Sequence, residues 1–379
     1  MDFTPLMHHL EGYLRQEKNV PSVDIIVMQN HKELFRYMSG TTDKDRTKPV
    51  TADDLYYIYS CTKPMTCTAA LQLVEQGKLG LDDPVYQYLP AYKDAFLLKD
   101  GERVTVGHTM TVRHLFTMSA GLNYKLKASA VVQKLKENPM ASTRELVDGF
   151  VQSPLEFAPG ERFNYSLCHD VLAAVVEAAS GLRFSQYLQK NIWEPLGMKR
   201  TGFHPTNAEE ENLVWHFKYS AVEDKVLPKR EKVCNYCLGE NYDSGGAGLF
   251  TATEEYVLFA DAMACGGVGK NGRRILKSET IDLMRQDQTG IYSVPYGICG
   301  KPDPGYGYGL GVRTLVSKGD GQRSAIGEFG WDGAAGSYIL MDPAHKLSVF
   351  FTMSVTNWVP LLGRHTALRD AVYESLEIE

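Results

Sequence analysis

The stretch Leu55-Tyr56-Tyr57-Ile58-Tyr59-Ser60-Cys61-Thr62-Lys63-Pro64 decides how this chain of 379 residues is read. A strand-like run leads straight into Ser60, and the residues from Met65 to Gln76 keep a helical period, with Pro64 in the first turn and Gly77 at the end. Ser60 is therefore expected at a helix N-terminus, where the dipole favours the negative charge that develops on an attacking oxygen. A lysine three residues on shares that helix face, close enough to take or polarise the proton of a hydroxyl that is otherwise a weak nucleophile. The pattern Ser-x-x-Lys occurs once here, about as often as chance allows in a chain with this much serine and lysine. Taken alone it reads as a plain N-cap serine beside a solvated lysine, so the surroundings must decide.

Working outward, Phe3, Leu6, Met7, Leu10, Tyr13 and Leu14 recur at helical intervals and predict an amphipathic N-terminal helix. Residues 23–29 and 33–39 read as two strands joined by a hairpin turn at Asn30-His31-Lys32. The far end has the same texture: Tyr308 to Val316, Arg323 to Phe329, Ser337 to Met341 and Leu347 to Met353 are strand-like, and Leu361 to Leu376 closes the chain as a helix. Between them helical periods dominate, as in Thr111 to Met118, Asp170 to Ala179 and Glu254 to Ala264. The expectation is an α+β fold in which both ends share one antiparallel β-sheet flanked by the terminal helices. Residues 1–63 and 291–379 would form a discontinuous sheet domain and 64–290 a large, mainly helical insertion domain, with the site in the cleft between them.

Composition sets outer limits. With 44% hydrophobic and 23% charged residues the chain is globular rather than disordered, long enough for roughly two or three domains. Lys+Arg 40 against Asp+Glu 46 gives a net charge of -6 with no basic tract, so nucleic acid is not an expected partner. No apolar run reaches the ~18 residues of a membrane span, and Met1-Asp2-Phe3-Thr4-Pro5 is no export signal, so neither membrane association nor secretion is expected. Seven cysteines without framework spacing suit a reducing compartment, and the cytoplasm is the expected location. Cys234-Asn235-Tyr236-Cys237 has the spacing of half a zinc site, but no second ligand pair completes it, so neither a metal nor a cofactor is expected.

A lysine acting as a base usually recruits a second proton-transfer group. Tyr165 is a candidate, because Phe163-Asn164-Tyr165-Ser166-Leu167 follows the turn at Pro159-Gly160 and opens another apolar helix. At this point the chain resembles the serine β-lactamase-like hydrolases, the family of class C β-lactamases, penicillin-binding D,D-peptidases and related carboxylesterases. The likeness runs nearly end to end. It rests on Ser60-Cys61-Thr62-Lys63, on Thr111 to Leu122 with its Leu115-Phe116-Thr117-Met118-Ser119-Ala120-Gly121 core, on Pro159-Gly160-Glu161-Arg162-Phe163-Asn164-Tyr165-Ser166, and on Glu194-Pro195-Leu196-Gly197-Met198. Gly245-Gly246-Ala247-Gly248-Leu249 and Gly330-Trp331-Asp332-Gly333-Ala334-Ala335-Gly336-Ser337 complete the series in the family's order. The resemblance implies acyl transfer: Ser60 attacks a carbonyl, Lys63 and Tyr165 shuttle the proton, and the backbone amides of Ser60 and Ala334 form the oxyanion hole.

The departures narrow the function further. Where β-lactamases carry Tyr-x-Asn and Lys-Thr-Gly, this chain has Tyr165-Ser166-Leu167 and Trp331-Asp332-Gly333. An amide is replaced by Leu167, and a cation and hydroxyl by Trp331 and Asp332, so a β-lactam carboxylate would meet an apolar ring and a negative charge. Leu167, Trp331, Asp332 and Gly333 are the candidate substrate-binding residues. Trp331 is alternatively a packing residue, Asp332 a turn former and His169 a structural histidine. The combination points to the esterase branch and a small-molecule ester or acyl substrate. An acyltransferase using an alcohol or amine acceptor is the alternative; residual β-lactamase or D,D-peptidase activity and a non-catalytic binding homologue rank lower. No Gly-x-Ser-x-Gly occurs, which removes the α/β-hydrolase elbow. Gly245 to Gly248 is followed by the capping-box signal Thr251-Ala252-Thr253-Glu254 and reads as a loop entering a helix. Tyr292, Tyr296, Tyr306 and Tyr308 are placed either as an aromatic pocket wall or as a packed loop. Acyl-chain preference and oligomeric state are not legible.

Overall fold

Strand Ser22–Gln29 is buried along nearly its whole length, which requires an apolar layer on each face of its sheet. The computed structural model describes residues 1–15, 20–229, 234, 236–288, 290, 297–298, 301–302, 305–319, 321–357 and 362–378. Its main sheet has seven antiparallel strands in the spatial order Tyr306–Tyr308, Arg313–Leu315, Phe329–Asp332, Tyr338–Asp342, Leu347–Thr352, Ser22–Gln29, Lys32–Gly40. The two ends of the chain meet where Ile25 pairs with Phe351 and Ile26 with Phe350. Alternation then sorts the side chains by face. Val23, Ile25, Val27, Leu340, Val349 and Phe351 pack with Leu6 and Leu10 of helix Thr4–Arg15 and with Leu368 and Val372 of helix Leu362–Ser375. Ile26, Met28, Ile339, Met341 and Phe350 belong to the larger core that includes Met65, Tyr256 and Phe259. Phe350 meets the Tyr256 ring at 4.6 Å, a contact whose removal by Phe350→Ala would cost about 3–5 kcal/mol.

The hairpin turns at Asn30 and His31, both with positive φ (48° and 68°), the geometry that matches strand twist; Lys32 already belongs to the second strand. Two expected strands are corrected. Tyr308 to Val316 is broken into Tyr306–Tyr308 and Arg313–Leu315 by a turn in which Gly311 takes φ 87°. Arg323 to Phe329 is mostly loop, with Gly327 at φ 87°, and the strand begins only at Phe329. The capping box expected at Thr251 does not form. Helix Thr253–Ala264 takes Ala252 as its N-cap, while Thr251 Oγ1 hydrogen-bonds Thr201 Oγ1 at 2.7 Å and Glu254 pairs with Arg200.

Two parts of segment 64–290 return to the chain ends rather than staying apart. Helix Thr253–Ala264 lies on strands Leu347–Thr352, Ser22–Gln29 and Tyr338–Asp342. The hairpin Phe217–Ser220/Lys225–Pro228 returns by pairing in parallel with Val355–Thr356 in a separate three-stranded sheet. Helices Val112–Phe116, Thr143–Val147 and Phe184–Leu188 pack on Cys168–Ser180, which lies against Thr62–Glu75, and these two helices carry the residues of interest. No helix among the described residues is long and apolar enough to cross a membrane.

Candidate active site

Ser60 is held by the local geometry of its own approach strand. Tyr56–Tyr57 pairs with Phe250–Thr251, and Ile58 N–H extends the register onto Leu249 O at 3.0 Å. Tyr59 then takes φ 47°, a conformation costly for a bulky residue, and is anchored by its hydroxyl at 3.3 Å from His216 Nδ1 and by its ring against Tyr236. Burial lowers the His216 pKa to about 4, so its imidazole is neutral near pH 7. The short 3-10 turn Tyr59–Cys61 delivers Ser60, 8% exposed, to the start of helix Thr62–Glu75, as expected from the sequence.

Three of the expected residues converge. Ser60 Oγ lies 2.7 Å from Tyr165 Oη and 3.1 Å from Lys63 Nζ, and Lys63 is fully buried. Lys63 Nζ also donates to Gly246 O at 2.6 Å and sits 4.7 Å from the centre of the Tyr165 ring. Tyr165 is fixed through its neighbour Asn164, whose N–H and Nδ2 donate to Met118 O and Leu122 O. Trp331 Nε1 donates to Tyr165 Oη at 3.4 Å, and the Trp331 ring stacks on Tyr165 at 5.8 Å. A hydroxyl flanked by an amine and a phenol at these distances can lose its proton as it attacks a carbonyl.

Gly333 admits no side chain: a Cβ there would sit 2.1 Å from Ser337 Oγ and 2.3 Å from Ile58 O. Ser337 Oγ donates to Ile58 O at 2.8 Å, so the turn carrying Ala334 is tied to the residue two before Ser60. Leu167 is 1% exposed in the core and N-caps helix Cys168–Ser180, presenting no amide. Asp332 departs from expectation. Strand alternation turns it to the opposite face from Trp331, where Arg313 binds one carboxylate oxygen and His365 Nδ1 the other. Burial pushes its pKa up, but Arg313 and His365 outweigh that and hold it below the usual carboxylate range. His169 is wholly buried, 3.2 Å from Phe116 O, its pKa pushed down to about 3 by burial and by the Lys63 charge.

Several contributors escaped the sequence reading. Tyr124 stacks on Tyr165 at 5.6 Å and meets the Tyr236 ring edge-on, extending the Trp331–Tyr165 stack into an aromatic wall. Tyr308 packs behind Trp331 at 5.2 Å, whereas Tyr306 faces Glu328 and Arg369; Tyr292 and Tyr296 lie outside the described residues. Asp170 is buried beside Gly246, with Tyr242 Oη and Ser244 Oγ donating to its Oδ1 at 2.7 and 2.6 Å. Burial raises its pKa, opposed by those hydroxyls and by Lys63. No sequence motif marked it: it follows His169 at the start of a helix whose next turn is apolar.

Among the described residues one mixed group has metal-ligand chemistry, His31, Asp261 and Cys265, on the hairpin turn and the end of helix Thr253–Ala264. His31 already gives both its N–H and Nδ1 to the Asp261 carboxylate, and Lys346 places a positive charge near Cys265. The group reads as a turn anchor. Cys234 is buried with its thiol on Ala247 O, while Asn235 lies outside the described residues.

The family model described as Beta-lactamase matches residues 6–374. Esterase EstB of Burkholderia gladioli is 30% identical over 95% of this chain and 92% of its own length. A solved structure of EstCE1, described as a hydrolase with promiscuous acyltransferase activity, superposes with a TM-score of 0.79 at 26% identity, covering 98% of this chain and 99% of that one. A mutant simvastatin synthase (LovD) from Aspergillus terreus shares the fold with a TM-score of 0.79 at 20% identity, over 98% of this chain and 94% of that one.

Proposed function

We propose that this chain, which belongs to the beta-lactamase family, is a serine hydrolase that cleaves carboxylic esters through an acyl intermediate on Ser60. The observation that carries the reading is the placement of Ser60 Oγ within hydrogen-bond reach of both Tyr165 Oη and Lys63 Nζ. Ser60 Oγ bonds to the ester carbonyl carbon while its proton passes to the Tyr165/Lys63 pair. The developing oxyanion is received by the backbone amides of Ser60 and Ala334. The pair returns a proton to the departing alcohol, and water then repeats the sequence on the acyl-Ser60 ester to free the acid and the serine. No metal or cofactor has a role in this scheme.

Trp331 and Gly333 flank the Ser60 site, with Tyr124 and Tyr236 continuing the aromatic wall from Tyr165, whereas Leu167, buried in the core, does not reach a substrate. Nothing cationic in this set replaces the Lys-Thr-Gly cation, which favours neutral small-molecule esters over β-lactams. Turnover of a chromogenic cephalosporin should therefore be at least about 100-fold below that of a p-nitrophenyl ester under the same conditions. EstB is called an esterase, which supports the ester reading. EstCE1's acyltransferase activity supports a second one, transfer of the acyl group to an added alcohol, which product analysis would detect.

The sheet domain is best taken as residues 1–63 and 291–379, with helix Thr253–Ala264 and hairpin Phe217–Pro228 packed onto it from the segment 64–290. Seven cysteines without a framework spacing favour a reducing, cytoplasmic setting. Replacing Ser60 by alanine tests the mechanism: p-nitrophenyl ester turnover should fall by at least about 1,000-fold while the circular dichroism spectrum and thermal midpoint are kept. Turnover persisting in Ser60→Ala would assign the activity elsewhere.

A further inference from the structure

Lys63 has a second connection that the hydrolytic scheme does not use. Its Nζ donates to Gly246 O at 2.6 Å, and the N–H of the same Gly246 donates to the Asp170 carboxylate. One glycine thus bridges the lysine and a wholly buried acid. A Cβ on Gly246 would lie 2.4 Å from Asp170 Oδ2 and 3.6 Å from Lys63 Nζ, so carboxylate and ammonium face each other across a gap that only glycine leaves open. The other carboxylate oxygen is claimed by Tyr242 Oη and Ser244 Oγ, which come from the same loop as Gly246. Thr66 Oγ1, one turn along the helix from Lys63, donates to Gly245 O at 2.7 Å and seats that loop on helix Thr62–Glu75.

We propose that Asp170 is a positioning residue for the reaction at Ser60: it folds the Tyr242–Gly246 loop around its carboxylate and so aims Gly246 O at Lys63 Nζ. The inference rests on the acyl-Ser60 reading and adds to it a residue that touches neither Ser60 nor a substrate. The groups facing Asp170 are hydroxyls and phenols, Ser244, Tyr242, Tyr92, Tyr124 and Tyr236, and Lys63 is the cation whose charge acts on it. Facing Lys63 are Ser60 and Tyr165, with neutral His169 behind. A buried carboxylate this near a buried ammonium is not spectator packing, because removing either leaves the other uncompensated.

The test compares Asp170→Asn and Tyr242→Phe with wild type. For each, p-nitrophenyl ester kcat and KM are measured from pH 5 to 9 together with fluorophosphonate labelling of Ser60. Asp170→Asn should lower kcat by about 100-fold through misplacement of Lys63, with KM little changed. Labelling of Ser60 should slow by a similar factor, because the misplaced lysine no longer takes the serine proton. Tyr242→Phe leaves the acid in place but strips one donor from its carboxylate, so kcat should fall about 10-fold with KM little changed, and this variant decides the matter if Asp170→Asn does not fold. Folded variants that keep wild-type kcat, or that raise KM as much as they lower kcat, would overturn the proposal and leave Asp170 a structural residue. Failure of the underlying reading has a separate signature, no labelling of Ser60 in the wild type.

Discussion

Gly333 shows at the scale of one residue how closely the site is fitted. A methyl group there would overlap Ser337 Oγ and Ile58 O, the two atoms whose hydrogen bond ties the Ala334 turn to the Ser60 segment. Gly333→Ala should therefore cost about 1–3 kcal/mol of stability, read as a lowered urea midpoint, and should lower kcat more than it raises KM, because the Ala334 amide moves. Unchanged kinetics would detach that turn from the chemistry. Ser60, Lys63 and Tyr165 were legible in the sequence because each stands at a helix entry and belongs to a motif with fixed spacing. Asp170 was not, since its tie to Lys63 runs through the peptide of Gly246, a contact made only once helix and loop are packed. Asp332 was misplaced for a simpler reason: its neighbour Trp331 faces the site, and a strand sends adjacent side chains to opposite faces.

The elements around the site are apolar enough to strip histidines of their charge. His169 near the start of helix Cys168–Ser180, His114 in helix Val112–Phe116 and His216 are all pushed down by burial, to about 3, 4 and 4. In the unfolded chain each takes a proton near pH 6.5, whereas the folded protein refuses it until far lower. Their contribution to stability is therefore complete above pH 6.5 and is lost as pH falls toward 4. Glu177 and Asp24, raised by burial to about 7 and 6, act in the opposite sense over part of that range. The clean measurement is a difference: between pH 7 and pH 4 the urea-derived stability of wild type should fall further than that of His169→Gln. Equal losses would show that His169 titrates normally. Helix positions were legible from periodicity, while the strands from Tyr306 to Asp332 were not, because glycines 311 and 327 break apolar runs that composition alone presents as continuous.

At the scale of the whole molecule, the sheet joins chain ends that no local pattern could pair. Its outer face is locked to helix Leu362–Ser375 by buried charges: Arg313, 4% exposed, pairs with Asp332 and lies 3.8 Å from Glu328, while His365 of the helix binds Asp332. Arg313→Met strips Glu328 and Asp332 of the cation between them, leaving only Arg369 and His365, so it should destabilise by about 3–5 kcal/mol in urea unfolding. A loss below 1 kcal/mol would mean that the acids protonate at no cost. The strand holding Asp332 on this outer face carries Trp331 on the inner one, so the same variant should also slow ester turnover. The α+β architecture was legible from strands at both ends and helices between. The return of helix Thr253–Ala264 to the main sheet, and of hairpin Phe217–Pro228 to a separate sheet with Val355–Thr356, was not, since both lie within the helical middle and their partners are distant in sequence.

The central claim is that an ester's acyl group resides on Ser60 during turnover. Mixing the protein with a p-nitrophenyl ester, quenching in acid within the first turnover and mapping the acylated peptide by mass spectrometry tests it directly. The predicted result is one acyl group per chain, carried by Ser60 and absent from Ser60→Ala, appearing with a burst of nitrophenol. Nitrophenol release with no acyl adduct at Ser60, or an adduct on another residue, would contradict the account.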